Sequence, residues 1–344
     1  MLHNLKSTNN LSLREQDILR SIVNLYILKA VPVGSRKLSK YLEGQLELSA
    51  ATLRNIMSDL EEMDYINHPH TSAGRVPTDK GYRFYVDSLT EIENLSSQEL
   101  EFVKKLSESE LSGNVLKQAG SILALLSQSI GLVRIPHLQN LIVEKVHLIN
   151  IASNRILVVL ALDSNIIRHV SLESELEVDI KDLDNITHYI NERLSGKRLS
   201  FIQDNFNEMM SDIASDYKPL LRLFVDSVDK IFHLHKEDRI ITTGTQNLLK
   251  YPEFEDLKKV QSIIELVENK DLVIHLLDSN NDSNTKVLIG SESGNEAFND
   301  YSVVLSNYSV GSATGSIGLI GPKRMNYSKM LTLVKSVSNI LGSE

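Results

Sequence analysis

Arginine and asparagine stand side by side at positions 54 and 55, within a stretch from Ser49 to Glu62 whose apolar residues recur every three or four positions. An asparagine amide can pair bidentately with adenine and an arginine guanidinium with guanine, so this pair suits the reading of base edges in a DNA major groove. At 100° per residue, Ala51, Asn55 and Ser58 point directly away from the stripe of Leu53, Ile56, Met57 and Leu60, with Thr52 and Arg54 on its flanks. Short side chains on that face let a helix approach the bases closely. The acids Asp59, Glu61 and Glu62 fall in the C-terminal half, which leaves the groove when N-terminal residues do the reading. Ser35, Arg36 and Lys37 open another short predicted helix, whose N-terminal amides and Arg36 suit a phosphate. His70, Thr71, Ser72 and Arg75 fall in and beside a polar turn, with Arg75 at or near its tip and free to follow a backbone or enter a minor groove.

The elements that must hold these groups are legible around them. Ser12 caps a helix running to about Lys29, with Glu15 at the capping-box position and Ile18, Ile22, Leu25 and Tyr26 as its buried stripe. Val31-Pro32-Val33-Gly34 breaks it, and a second helix follows to Tyr41. Ser49 is a good N-cap for the helix that carries Arg54 and Asn55. Tyr65 to His68 predicts a strand, Pro69 to Gly74 a loop and Arg75 to Pro77 a return strand. A fourth helix spans Asp79 to Leu89, where Tyr82, Phe84, Tyr85 and Val86 are spaced for core packing rather than for stacking on single-stranded bases. Read together, these elements are a winged helix-turn-helix.

Composition sets the frame for this head. The 344 residues suffice for two or three domains, and the net charge of −9 argues against a broadly basic nucleic-acid binder. The charge is uneven, however: residues 1–88 hold eleven Lys/Arg against ten Asp/Glu, leaving −10 for residues 89–344. Within Lys29 to Arg54 five cations face only Glu43 and Glu47, a local basic footprint that predicts salt-sensitive binding by two heads acting together. With no cysteine there is no disulfide framework or thiolate zinc site. The polar N-terminus has no secretory core, and Ile156 to Leu162 is too short to span a bilayer, so a cytoplasmic protein without membrane attachment is expected.

Beyond the head, Ser96–Leu111 and Asn114–Ile130 read as linking helices. Glu144–Ile151, Arg155–Leu162 and Ile166–Leu172 read as an antiparallel meander. A helical block from Ile180 to His235 carries two apolar stripes, Ile186, Tyr189, Ile190 and Leu194, then Leu220, Leu223, Phe224, Val228 and Ile231, which suit either a dimer interface or an internal core. Strands are expected at Arg239–Thr242, Asp271–Leu277, Lys286–Ile289, Tyr301–Tyr308 and Gly315–Ile320, with a closing helix from Ser328 to Leu341, making an α+β multidomain chain. No constellation for catalysis is found: there is no Gly-x-Ser-x-Gly elbow, and Gly311-x-x-x-Gly315-x-x-Gly318 matches neither a dinucleotide nor a phosphate loop. Thr242 to Thr245 reads as a strand-to-helix turn before an anion cradle. The pairs His68-x-His70 and His233-x-His235 lack further ligands at metal spacing, so neither metal nor cofactor is expected.

Three segments carry a resemblance to a known family. PVGSRKLSK, SAATLRNIMSDLEEMDYINHPHTSAGRVPTDKGYRFYVD and, near the C-terminus, VLSNYSVGSATGSIGLIGPKRMNY resemble HrcA, the bacterial heat-inducible transcription repressors. HTSAGRVPTDKGYRFYVD is the most specific part; Ala50 departs from the family's usual proline at the first helical position. The resemblance implies a GAF-like body with an inserted dimerisation domain. On this reading residues 1–90 are the DNA-binding head, 91–165 the linker and first part of the body, 166–237 the insertion and 238–344 the rest of the body. It further implies a homodimer on double-stranded DNA at the CIRCE inverted repeat before groE- and dnaK-type operons, with the GroEL chaperonin sustaining activity and heat releasing the genes. A small-ligand-responsive winged-helix regulator is the alternative, and an enzyme fused to such a head is disfavoured by the missing motifs.

Overall fold

A computed structural model describes residues 11–44, 46, 48–69, 73–89, 93–106, 113–136, 141–163, 166–173, 180–211, 218–232, 240–254, 257–278, 285–310 and 313–342, in an α+β chain of two compact units. The first unit comprises residues 1–94, 287–303 and 321–332. Its helix α1 (Leu13–Lys29) starts with the expected capping box, in which the Ser12 hydroxyl accepts the Glu15 N–H while the Glu15 carboxylate accepts the Ser12 N–H. It stops where Ala30 turns left-handed at φ 53°, and it buries Ile18, Leu19, Ile22, Val23 and Leu25. Helices α2 (Ser35–Tyr41) and α3 (Ala50–Glu62) add Leu38, Leu53, Met57 and Leu60 to that core. The short strands β1 (Ile66–Asn67) and β2 (Val76–Pro77) pair antiparallel, and α4 (Asp79–Asp87) closes the group with Tyr82, Phe84 and Tyr85 buried.

The second unit comprises residues 95–286, 304–320 and 333–344. Helices α5 (Ser97–Lys104) and α6 (Gly113–Ser127) precede β3 (Ile130–Arg134), every residue of which is buried. The helix expected to reach Ile130 therefore ends three residues early. Gln128 at φ 53° turns the chain, and Ile130, expected as the last helical residue, opens a strand paired on both sides.

Strands β4 (Val143–Ala152), β5 (Arg155–Leu162) and β6 (Ile166–Glu173) form the expected meander. Helices α7 (Ile180–Leu194), α8 (Leu199–Met209), α9 (Lys218–Asp226) and α10 (Val228–Phe232) share one hydrophobic core with it. Ile186, Ile190, Leu194, Phe224 and Ile231 are at most 2% exposed, so these stripe residues are internal core, each stabilising by roughly 1.5–3 kcal/mol on burial. The other face of the meander has no such cover among the described residues. Ile149, Ile151 and Ile167 are exposed beside the half-buried Leu157, Val159 and Ala161, in cross-strand register Ile149–Leu157 and Ala161–Ile167.

β7 (Ile240–Thr243) leads through two short 3₁₀ turns to α11 (Leu257–Glu268) and α12 (Lys270–Asp278), then β8 (Lys286–Ile289), β9 (Tyr301–Val310), β10 (Ala313–Pro322) and α13 (Tyr327–Leu341). The five-stranded sheet runs β7-β3-β10-β9-β8. Asp271–Leu277, read as a strand from its aliphatic content, is helix α12. Burial of Val273, Leu276 and Leu277 follows the three/four spacing, and the Asn269 side chain accepts the Leu272 N–H at the helix start. Thr242 to Thr245 is a packed turn: Gly244 is left-handed, and the Thr243 hydroxyl donates to the Gly131 carbonyl. Among the described residues no helix is long and apolar enough to cross a membrane.

Candidate nucleic-acid interface

Ser49 starts α3 as expected, its hydroxyl accepting the Thr52 N–H at 3.1 Å and lying 2.9 Å from the Thr52 hydroxyl. The inward stripe is buried at Leu53, Met57 and Leu60, which fixes the rotation of the helix, and Ala51, Arg54, Asn55 and Ser58 are exposed on the outside. Thr52 is half-buried against its cap. On α2, Arg36 and Lys37 are exposed and Ser35 is half-buried, while Leu38 anchors the helix beneath them. Arg36, Lys37 and Arg54 form no ion pair among the described residues, so their charges are available to an anionic partner.

A cleft of about 280 Å³ opens between these elements, with Arg36, Arg54 and Arg75 on its walls beside the Gly34 and Gly74 backbone. Its geometry follows from a close backbone approach. Val33 and Arg75 exchange both of their backbone hydrogen bonds, at 2.8 and 2.9 Å, so the hairpin is stitched to the segment before α2. Gly74 permits it: a Cβ there would lie 2.5 Å from the Val33 carbonyl carbon. Gly74→Ala should therefore displace the hairpin and lower head stability by about 1–3 kcal/mol, read as a shift in the denaturation midpoint; unchanged stability would deny the tight approach.

Arg75 is placed differently from a wing-tip cation. Its side chain is 17% exposed and its guanidinium pairs with Glu61 at 2.8 Å and with His68, whose other ring nitrogen meets the same carboxylate. His68 thus bridges the Glu61 carboxylate and the Arg75 guanidinium through its two ring nitrogens. Glu61, one of the three acids that the sequence puts in the C-terminal half of α3, thus ties the end of the helix to both arms of the hairpin. His70, Thr71 and Ser72 lie outside the described residues, as do His233 and His235.

Lys80 and Arg83 are held by contacts within the fold. Lys80 donates to the Met63 carbonyl at 2.8 Å and sits 4.3 Å from the centre of the Tyr65 ring, whose phenol burial pushes up in pKa. The arrangement presents a helix face of small and amide side chains, flanked by arginines round a concavity, which is suited to a polyanion with readable edges.

Comparison with known proteins places this geometry among relatives. The family described as HrcA protein C terminal domain matches residues 113–331. A heat-inducible transcription repressor HrcA of Chlorobium phaeobacteroides (strain BS1) is 34% identical over 348 residues, covering 97% of this chain and 98% of its own length. The protein of the same description from Halalkalibacterium halodurans is 32% identical over 331 residues, covering 95% and 96%. A crystal structure of a hypothetical protein at 2.2 Å resolution superposes with a TM-score of 0.69 at 25% identity, covering 97% of this chain and 98% of that one.

Proposed function

The chain belongs to the HrcA family of heat-inducible transcription repressors, and we propose that it acts as a homodimer that occupies the CIRCE inverted repeat before chaperone operons, is sustained by GroEL and lets go on heating. In this reading the head is a winged helix-turn-helix. Arg54 and Asn55 read bases, with Ala51, Thr52 and Ser58 at the groove surface and Ser49 at the helix start. Ser35, Arg36 and Lys37 hold backbone, and His70, Thr71, Ser72 and Arg75 belong to the wing. The observation that carries it is the exposed Arg54–Asn55 face beside a cleft walled by three arginines. The Glu61 pairing makes Arg75 first a positioner of the hairpin and only then a backbone contact.

The shared core of β4–β6 with α7–α10 supports an inserted domain spanning about 141–232, beginning well before residue 166. We place the dimer contact on its uncovered sheet face, where Ile149, Leu157, Val159 and Ile167, with His147 and His169 in register beside Val159, would meet a second copy. The surrounding five-stranded sheet would be the GAF-like body.

Lys37→Ala should weaken operator and random DNA alike and reduce the salt slope by roughly one per head; a loss confined to operator DNA would move Lys37 to base reading. The switch is tested by titrating operator binding before and after mild heating, with and without GroEL and ATP. Binding that falls on heating and returns only with chaperonin is expected, because partial unfolding separates the two heads. Unchanged binding across the heat step, or equal recovery without chaperonin, would favour a small-ligand regulator.

A further inference from the structure

Two charges one turn apart on α4, Asp79 and Arg83, are spent inside the first unit on segments more than 200 residues away in sequence. Asp79 accepts from Lys323 Nζ at 2.7 Å with one carboxylate oxygen, and from the Ser291 backbone N–H and hydroxyl at 3.1 and 3.2 Å with the other. Arg83 donates through Nε to Glu292 at 2.7 Å, through one terminal nitrogen to Glu292 and to the Val287 carbonyl at 2.7 Å, and through the other to Asp87 at 3.2 Å. Glu292 in turn accepts the Ile289 N–H at 2.9 Å.

The fit is close as well as charged. Gly290 is left-handed at φ 49°, and a Cβ on it would come within 2.3 Å of the Asp79 carboxylate. Behind the ion pairs, Tyr82 and Tyr85 face the fully buried Tyr327 at ring distances of 6.1 and 6.4 Å, and the Tyr327 hydroxyl meets Ser302 at 2.8 Å. Asp79, Arg83, Glu292 and Lys323 are each 27–31% exposed. Partial shielding, a bidentate fork and a backbone cradle make such pairs worth more than ordinary surface bridges. Burial opposes the Arg83 charge, but the hydrogen bonds and charge of Glu292, with Asp87, outweigh it and hold its pKa above the ordinary value. None of these groups is on the face proposed to meet DNA.

We propose that Asp79 and Arg83 are positioning residues, clamping the head to the 287–293 and 323–327 segments so that the reading helix is held in a fixed pose instead of swinging on a tether. The inference rests on the DNA-binding reading above. A head in a fixed pose recognises an inverted repeat only at one half-site spacing, whereas tethered heads tolerate many, because their effective concentration varies slowly with separation.

The test uses the full-length chain with Asp79→Asn and, from the opposite side of the clamp, Gly290→Ala. Binding is measured to an inverted-repeat fragment of native spacing, to one lengthened by about half a helical turn, ~5 bp, and to a single half-site. Hydrogen exchange of the peptide holding the Ile289 and Ser291 amides is followed in parallel. Faster exchange at 287–293, half-site affinity within about twofold of the parent, and a loss of roughly tenfold or more at native spacing with none at the longer one are expected. Faster exchange with the spacing preference intact would overturn the positioning role while leaving the DNA reading standing. Unchanged exchange would show that the clamp does not hold these segments and overturn it directly. A parent chain that binds neither fragment nor half-site would defeat the DNA reading, and this inference with it.

Discussion

Asn55→Ala should lower operator affinity by roughly 1–3 kcal/mol per head, and by about twice that in a dimer that carries the change in both half-sites. The side chain is exposed on the side of α3 opposite Leu53, Met57 and Leu60, so its removal leaves the core of the head untouched. Stability should stay within about 0.5 kcal/mol of the parent, which separates this effect from one on folding. Arg54→Ala should cost a similar amount and relax specificity at a different base pair. Competition binding against operators mutated one position at a time reads both: each variant becomes indifferent to one base pair that the parent discriminates. If Asn55→Ala binds the operator and a scrambled version with the parent's affinities, α3 is not the reading helix.

Ile167→Glu should have the largest effect of any single change outside the head. Ile167 is 59% exposed on the outer face of β6, opposite Ala161, so the isolated subunit loses little by the substitution. In a two-fold contact the change occurs twice, and each carboxylate would be taken from water into the contact. Sedimentation should show half the parental mass, and operator affinity should fall roughly 10²–10⁴-fold toward that of one half-site, since bivalent binding is lost. A variant that remains a dimer with intact operator binding would place the interface elsewhere. The near-neutral head is the physical reason for proposing two copies: few phosphates can be neutralised by Arg36, Lys37 and Arg54 alone.

Local signals carried most of the head. Ser12 with Glu15, Ser49 before an amphipathic run, and the Val31–Gly34 break each act over a few residues, and all end or begin elements where the sequence places them. The outward placement of Arg54 and Asn55 followed from periodicity for the same reason. What escaped was decided by partners distant in the chain. The pairing of Glu61 with Arg75 across the hairpin, and that of Asp79 and Arg83 with Lys323 and Glu292, leave no periodic trace because one charge on a helix looks like any other. The two misread elements have a common cause. Short apolar runs such as Ile130–Val133 and Leu272–Leu277 fit strand and helix alike until their neighbours are known: β7 and β10 pair with the first, and the second buries residues at helical spacing under an Asn269 cap. The helical stripes around Ile186 and Phe224 likewise could not declare whether they faced their own core or another chain; the meander that covers them decided it.

The central claim, that this head reads an inverted repeat before chaperone genes, is met most directly by hydroxyl-radical footprinting of the full-length chain on the chaperone promoters of its own genome. Two protected half-sites related by a dyad, on one face of the duplex, are predicted, with protection lost in the Arg54→Ala, Asn55→Ala double variant at concentrations where the parent is saturated. No protected inverted repeat at those promoters, or a footprint that the double variant leaves unchanged, would contradict the account.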